Sequence, residues 1–511
     1  MTTVAVLGAG TMGRGIAQVA AQAGHAVVLY DAFPEVLEKA SAELRSIFEM
    51  LHAKGRLEQP EEVAARIAYT SDLSDVQDAD WIIEAVPEDL NLKHELFRKL
   101  GDLGDYSVLA TNTSTLSVSS IAAAAARPER VVGLHFFNPA PLMNLVEVVP
   151  GAATDLGVVE QARFFVQGLG KTPVVARDAP GFIVNRVARP FYGEALRLHG
   201  EGLPVETIDR IMRGLGFKMG PFELMDLIGI DVNYAAARNV YEQFFHEPRY
   251  RPHPLQRSMV EAGRLGRKTG RGFYSYPRET PKEEPSGRGL SSLRPYLIGP
   301  EDALELYKDF PQVDNPAEAD FVLDLYSDPI GLSLDEAHHE TLLNSDLPVV
   351  RLLWGGSSSV LAGDVAPNEL AGFSLVPPFD KGRTVELCVP LGQGDTDALR
   401  LAGAYFKAQG LETVRLPDTP GGVGFRILAM IVNEAVSAVA EGLAPPAAID
   451  TAMRLGTNYP LGPLEWSEVL GLENVLVGLQ GLFEELGEDR YRPHPLLKRM
   501  VAAGLQRWDE L

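Results

Sequence analysis

Two ionisable residues stand inside apolar, β-branched runs of this chain. His135 lies in VVGLHFF at 131–137, and Glu147 lies in LVEVV at 145–149. Between the runs, Asn138, Pro139, Ala140 and Pro141 form a proline-punctuated loop, so the stretch reads as two strands joined by a turn. A charge within such a run is costly unless it is paired. If the strands are neighbours, the cheapest arrangement sets the carboxylate on the imidazole. That fixes the ring and its tautomer and raises its basicity, as a general base requires. The competing reading is a purely structural ion pair at a sheet edge.

A second group of residues has the spacing of a phosphate cradle. Residues 3–7 form a short apolar strand, followed by Gly8, Gly10 and Gly13 with Thr11 and Met12 between them, and then by a helical pattern over 14–23. Gly8 permits a tight turn, Gly10 lets backbone approach a pyrophosphate, and Gly13 lets the helix pack close to the strand. The helix N-terminus offers free N–H groups to phosphates. A second strand at 26–30 ends in Asp31, where a carboxylate bonds both ribose hydroxyls and repels a 2′-phosphate. NAD is therefore expected rather than NADP.

The elements needed to position these groups follow in order. Residues 35–54 and 92–100 read as helices, and residues 81–86 and 108–110 as strands. This alternation predicts a doubly wound parallel sheet, whose ligands bind at the carboxyl ends of the strands. The loops there carry Glu88, Asn112 and Ser114, which point towards the nicotinamide half of a site; solvated loop polars are the alternative. Asp178, Ala179, Pro180 and Gly181 mark a boundary, beyond which the pattern is helical to about residue 263. Residues 182–198 read as one helix with Asn185 in its first turn, where an Asn also serves as a cap or surface residue. A basic glycine-rich loop at 266–272 closes this part, and residues 278–289 read as a linker.

Composition bounds the possibilities. The 511 residues suffice for three or four domains. A net charge of −23 argues against nucleic acid as a partner. The single cysteine, Cys388, excludes intrachain disulfides and suits a reducing compartment. No apolar run is long enough to span a membrane, and the start of the chain lacks a signal-peptide pattern, so a cytoplasmic location is expected.

The second half repeats the first. EADFVLD at 318–324 echoes DADWIIE at 78–84, and DTPG at 418–421 echoes DAPG at 178–181, both at an offset of 240 residues. YRPHPL occurs at 250–255 and again at 491–496. The copy has lost what the first half would use for chemistry. It has no Gly-rich loop, Ser374 stands where His135 does, and Phe425 stands where Asn185 does, although Glu386 still matches Glu147. Such a copy is expected to fold but not to catalyse.

With these motifs together, the chain resembles the NAD-dependent 3-hydroxyacyl-CoA dehydrogenases over nearly its whole length. The resemblance rests on GAGTMGRGIA, EAVPEDLNLK, NTSTLS, LHFFNPAPLMNLVEVVPG, DAPGFIVNR and KTGRGFY, in that order. The extra C-terminal copy resembles the long bacterial forms associated with phenylacetate catabolism, which implies 3-hydroxyadipyl-CoA or 3-hydroxybutyryl-CoA as substrate. The resemblance implies that His135 is the base and Glu147 its orienting partner. It implies that Ser114 and Asn185 bind the reacting end of an acyl-CoA thioester, and that Lys54 lies near the CoA phosphates. Glu88, Lys93 and Lys268 match positions that hold NAD, as do Gly8, Gly10, Gly13 and Asp31. A β-hydroxyacid dehydrogenase acting on a free acid and a non-catalytic NAD-binding protein are the rival readings.

The expected architecture is an α/β Rossmann domain (1–181) followed by an all-α domain (182–277), a linker (278–297), a degenerate, truncated Rossmann-like domain (298–420) and a second all-α domain (421–511). Residues 178–181 would serve as a hinge for closing the first two domains. Short members of the family pair through their helical domains. The two copies here are therefore expected to pair within one chain, making a monomer with an internal pseudo-dimer, or else to leave a homodimer.

Overall fold

The computed structural model describes residues 2–100, 108–278, 292–326, 347–362, 369–379 and 384–511. Most of the expected linker lies outside the described residues. Among those described, eight strands form one sheet in the order β3-β2-β1-β4-β5-β6-β7-β8. They are β1 (Thr3–Leu7), β2 (Ala26–Tyr30), β3 (Ile67–Thr70), β4 (Trp81–Glu84), β5 (Val108–Thr111), β6 (Val131–Phe136), β7 (Leu145–Pro150) and β8 (Thr172–Val175).

Strands β1 to β6 run parallel because a helix or a longer connection returns the chain to the same end each time. The short proline loop after β6 allows only a reversal, and β7 runs antiparallel to it. Both faces are covered, which is why the strands are apolar almost throughout. Ile16, Ala17 and Ala20 of the helix Thr11–Gln22 pack on one face with Leu44 and Phe48 of Pro34–Ala53, while Leu96 and Phe97 of Leu90–Lys99 pack on the other.

The helix expected over 182–198 is interrupted. Val184–Val187 and Arg189–Gly200 are separate helices, and Pro190 sits in the first turn of the second. Proline has no N–H to continue the ladder, and its ring clashes with the preceding turn. The counterpart at the offset of 240 is Met430, and there the helix Gly424–Ala440 runs unbroken.

A second sheet has the order β14-β13-β12-β11-β10-β9. Its strands are β9 (Pro295–Ile298), β10 (Phe321–Asp324), β11 (Val349–Leu352), β12 (Leu370–Ser374), β13 (Thr384–Cys388) and β14 (Glu412–Arg415). This order parallels β8-β7-β6-β5-β4-β1, including the antiparallel step between β12 and β13. Among the described residues nothing corresponds to β2 and β3.

The chain divides into two compact units. One comprises Met1–Arg186 with Glu441–Thr457, and the other Val187–Ala440 with Asn458–Leu511. The first unit thus extends past residue 181 and takes in Asn185, which the sequence places in the helical part. It also takes in a segment of the C-terminal copy. There the helix Pro446–Thr457 packs on β7 and β8, and a side chain at Gly456 would lie 2.9 Å from Leu145 and from Val184. Arg186, fully buried, makes two 2.8 Å hydrogen bonds to Glu441.

The second unit contains corresponding contacts. Val205–Gly214 packs on β13, and Arg426 bonds Glu201 at 2.8 and 2.6 Å. Tyr250 donates to Glu434 and Tyr491 to Glu194, each at 2.6 Å. The named Arg–Glu and Tyr–Glu contacts recur with the two copies exchanged, the pattern of an isologous interface.

Candidate active site

His135 and Glu147 are direct partners across the antiparallel pair β6–β7. Nδ1 of His135 lies 2.6 Å from Glu147 Oε2, and both side chains are buried. The other oxygen, Oε1, accepts the N–H groups of Ile183 and Val184, both at 3.0 Å. The carboxylate is thereby fixed by backbone at the start of Val184–Val187, and the histidine is fixed by the carboxylate. With Nδ1–H donating to Glu147, Nε2 is left with its lone pair, the state needed to accept a proton. The turn leading in is strained. Phe182 has φ of 47°, rare outside glycine, and its ring sits 5.8 Å from the His135 ring.

Asn185 donates Nδ2–H to the Ser114 carbonyl at 3.3 Å, so two of the expected substrate-binding residues are adjacent. The loop bearing Ser114 is held by Glu88. One carboxylate oxygen, Oε1, accepts from Thr113 Oγ1 at 2.6 Å, Ser114 N–H at 2.9 Å, and Thr115 N–H and Oγ1 at 3.0 Å. Burial works against the charge on Glu88. The ammonium of Lys93, followed by these hydrogen bonds, outweighs burial and holds the carboxyl below its usual value. Lys93 is itself buried, 2.6 Å from Glu84 and 3.3 Å from Glu88. Asn112 accepts the Phe136 N–H at 2.8 Å and so braces the strand that carries His135. Downstream, Asp178 is clamped by Ser117 Oγ and by the N–H groups of Val118 and Ser119, at 2.8, 3.1 and 2.8 Å. The stretch expected as a hinge therefore begins at a fixed point.

The residues around the glycine loop fit a dinucleotide. Gly8 has φ of +99°, and a Cβ at Gly13 would lie 1.7 Å from the Gly8 carbonyl oxygen. A Cβ at Gly10 would meet nothing within 4 Å, so the space a pyrophosphate needs is open there. The helix Thr11–Gln22 starts at Gly10 with no side-chain cap, and its first N–H groups remain for a ligand. Asp31 accepts from Ala9 N–H at 2.8 Å and Phe33 N–H at 3.1 Å, which anchors the loop and keeps lone pairs for ribose hydroxyls. Thr11 and Met12 form the first turn of that helix.

Two expected site residues stand apart from this cluster in their contacts. Lys54 is exposed and caps the C-terminal end of Pro34–Ala53. Lys268, in the 3-10 turn Arg267–Thr269 of the second unit, bonds Asp231 at 2.6 Å.

The family model of the 3-hydroxyacyl-CoA dehydrogenase NAD-binding domain matches residues 3–179, and that of the C-terminal domain matches 181–276 and again 421–508. The chain belongs to the 3-hydroxyacyl-CoA dehydrogenase family. 3-Hydroxyadipyl-CoA dehydrogenase of Escherichia coli (strain K12) is 39% identical over 505 residues, covering 97% of each chain. A probable 3-hydroxybutyryl-CoA dehydrogenase of Deinococcus radiodurans is 43% identical over 275 residues, which is 53% of this chain and 99% of that one. The crystal structure of 3-hydroxybutyryl-CoA dehydrogenase from Escherichia coli K12 matches with a TM-score of 0.83 at 37% identity, covering 98% of both chains. The reaction is accordingly an NAD-dependent oxidation at the CH–OH carbon of a 3-hydroxyacyl-CoA.

For a member of this family, several supporting groups escaped the sequence reading. Glu84 is fully buried, binding Lys93 and accepting from Thr111 Oγ1 at 2.7 Å. The signal was present, since Glu84 closes the apolar run WIIE just as Glu147 interrupts LVEVV. Gly15 was also missed: a Cβ there would sit 3.1 Å from that of Ala140, so the helix approaches the loop after β6 closely. The contacts of Arg186 with Glu441 carry no local signal at all.

Proposed function

We propose that this dehydrogenase oxidises a 3-hydroxyacyl-CoA whose acyl chain ends in a second carboxylate, of the 3-hydroxyadipyl-CoA type, with 3-hydroxybutyryl-CoA as the next candidate. Supporting the first is the relative bearing that name, which shares both halves of the chain. The observation that carries the mechanism is the 2.6 Å contact between His135 Nδ1 and Glu147, whose second oxygen is tied to backbone. NAD, when bound, supplies the hydride acceptor. His135 Nε2 takes the proton of the 3-hydroxyl, and Glu147 stabilises the imidazolium that results, as the buried carboxylate does in a hydrolase triad. Ser114 and Asn185 hydrogen-bond the reacting end of the substrate and hold it in place. Gly8, Gly10, Thr11, Met12, Gly13 and Asp31 hold the dinucleotide. Glu88, Lys93, Asn112 and Lys268 complete that side, with Lys93 acting through Glu88, and Lys54 meets the CoA phosphates.

The second sheet is a decayed dinucleotide-binding domain in this reading, and the C-terminal helical copy takes the place of a partner subunit within one chain. The reciprocal Arg–Glu and Tyr–Glu contacts support it, as does the burial of Ala195 and Leu203 together with their counterparts Ala435 and Leu443. The cellular setting is cytoplasmic, in keeping with one buried cysteine.

Following NADH with acetoacetyl-CoA, longer 3-oxoacyl-CoAs and 3-oxoadipyl-CoA tests the substrate reading; a preference for acetoacetyl-CoA overturns it. Deleting residues from 290 onward tests the pairing. The truncated protein is expected to dimerise or aggregate, and a soluble, fully active monomer refutes the pairing.

A further inference from the structure

Glu147 fixes one atom of His135 but not the plane of its ring. Strand β6 sets the Cβ of the histidine, and the contact with Glu147 holds Nδ1. The χ2 torsion of a histidine is broad, so one hydrogen bond leaves the imidazole room to tilt. A tilt moves Nε2, the atom that meets the substrate hydroxyl. Two phenyl rings limit that freedom. Phe137 lies 4.4 Å from the imidazole, centroid to centroid, at an interplanar angle of 51°, and Phe182 lies 5.8 Å away at 58°. Tilted ring pairs at such separations attract one another. All three residues belong to the first compact unit.

Phe182 holds its place at a conformational cost, because its φ of 47° lies where a bulky side chain rarely goes. The turn itself does not call for phenylalanine. In the second half Gly422 stands at the same place with φ of 62°. Its N–H bonds the Thr419 carbonyl at 3.0 Å, as the Phe182 N–H bonds the Ala179 carbonyl at 2.9 Å. The next two N–H groups run to Glu386 there, as those after Phe182 run to Glu147. Glycine therefore builds the same turn without a steric penalty. Phe137 has changed as well. Val376 stands two residues after Ser374, as Phe137 stands two after His135. Both rings are replaced in the half where serine replaces the histidine. Strain that the backbone does not require, beside a candidate base, points to a functional constraint on the ring.

We infer that Phe137 and Phe182 are positioning residues for the oxidation: their rings fix the plane of the His135 imidazole, so that Nε2 faces the 3-hydroxyl. Glu147 anchors the ring at one atom, and the two phenyl groups remove the tilt that this anchor allows. The inference rests on His135 being the base.

The test uses the full-length protein, NADH and whichever of acetoacetyl-CoA and 3-oxoadipyl-CoA gives the higher kcat/KM. Phe182→Gly, Phe137→Leu and Phe137→Tyr are each made in the wild type and in His135→Gln, and urea unfolding confirms that every variant is folded. Phe182→Gly and Phe137→Leu are expected to lower kcat roughly 10- to 100-fold, the scale on which misplacing a reacting group by about an ångström acts. The KM for NADH stays within a few-fold. Phe137→Tyr keeps the ring and retains turnover. In the His135→Gln background the same replacements change the residual turnover by less than about threefold, because residues that act through one group are not additive. Wild-type kcat in Phe182→Gly and Phe137→Leu overturns the inference. Equal fold-losses in both backgrounds also overturn it, since the rings then only support the fold. Should Phe182→Gly fail to fold, Phe137→Leu decides, because Phe137 is only half-buried. Undiminished turnover in His135→Gln alone defeats the base assignment and the positioning role with it. A loss there with none in the phenylalanine variants defeats the positioning role alone.

Discussion

Glu147 in β7 and Glu386 in β13 occupy the same place in two sheets and receive the same backbone donors. Glu147 accepts both N–H groups on one oxygen and gives the other to His135. Glu386 takes Val423 N–H on one oxygen and Gly424 N–H on the other, opposite Ser374. The surroundings have changed in step. Ser114 and Asn185, hydrogen-bonded in the first half, correspond to Trp354 and Phe425, whose rings stack at 4.9 Å. The strained Phe182 corresponds to Gly422, which takes φ of 62° without a side-chain penalty. Where a serine and not a histidine stands opposite the carboxylate, stacked aromatic rings take the place of the polar pair. In both halves the carboxylate's bonds to backbone fix the junction between strand and helix.

The largest effect that separates the halves is expected at the base. His135→Gln should lower turnover by roughly 10²- to 10⁴-fold while NAD affinity stays within a few-fold. Steady-state rates with calorimetric NAD binding check this, and joint loss of both would make His135 structural. The converse change is Phe425→Ala, which removes a fully buried ring. It should cost about 3–5 kcal/mol of stability, read by denaturant unfolding, with kcat/KM of the folded fraction unaltered. A catalytic defect would show that the second half takes part in the reaction.

A smaller, pH-dependent difference belongs to Glu386, whose pKa burial raises from 4.5 to about 7. For an acid raised in the folded state, the native chain keeps its proton longer. The stabilisation is full below about 4.5 and is lost as pH climbs through about 7. Glu386→Gln should flatten the fall in stability across that window, by an amount of order 3 kcal/mol at most. Unfolding curves at pH 4.5, 6 and 8 of equal slope in wild type and variant would count against it. The smallest effect is expected at Asp31, just past the end of β2, a strand with no counterpart among the described residues of the second sheet. Asp31→Ala should weaken NAD about tenfold and narrow its advantage over NADP; an unchanged cofactor preference places the ribose contact elsewhere.

The sequence made the first half legible where local chemistry fixes local structure. A histidine and a glutamate within β-branched runs, and three glycines between a strand and a helix, each have few stable arrangements. Glu84 at the end of WIIE carries the same signal as Glu147, since a charge closing an apolar run must be paired. Pro190 also announced the break in the helix, but the apolar spacing around it was regular enough to mask it. What stayed hidden was non-local. Nothing near Glu441 shows that its partner is Arg186, because pairing across such a distance is set by the tertiary fold and not by pattern.

That pairing bears on how the protein is made. Arg186 and Glu441 are 255 residues apart, yet both belong to the first compact unit. A chain leaving the ribosome presents the whole eight-stranded sheet long before Glu441–Thr457 has been translated. Until then Arg186 has no Glu441, and β7 and β8 lack the helix that covers them. Closing so large a loop adds little to the equilibrium cost but delays the final contact. For most of its synthesis the nascent enzyme therefore carries an apolar surface that a chaperone or a second nascent chain can reach.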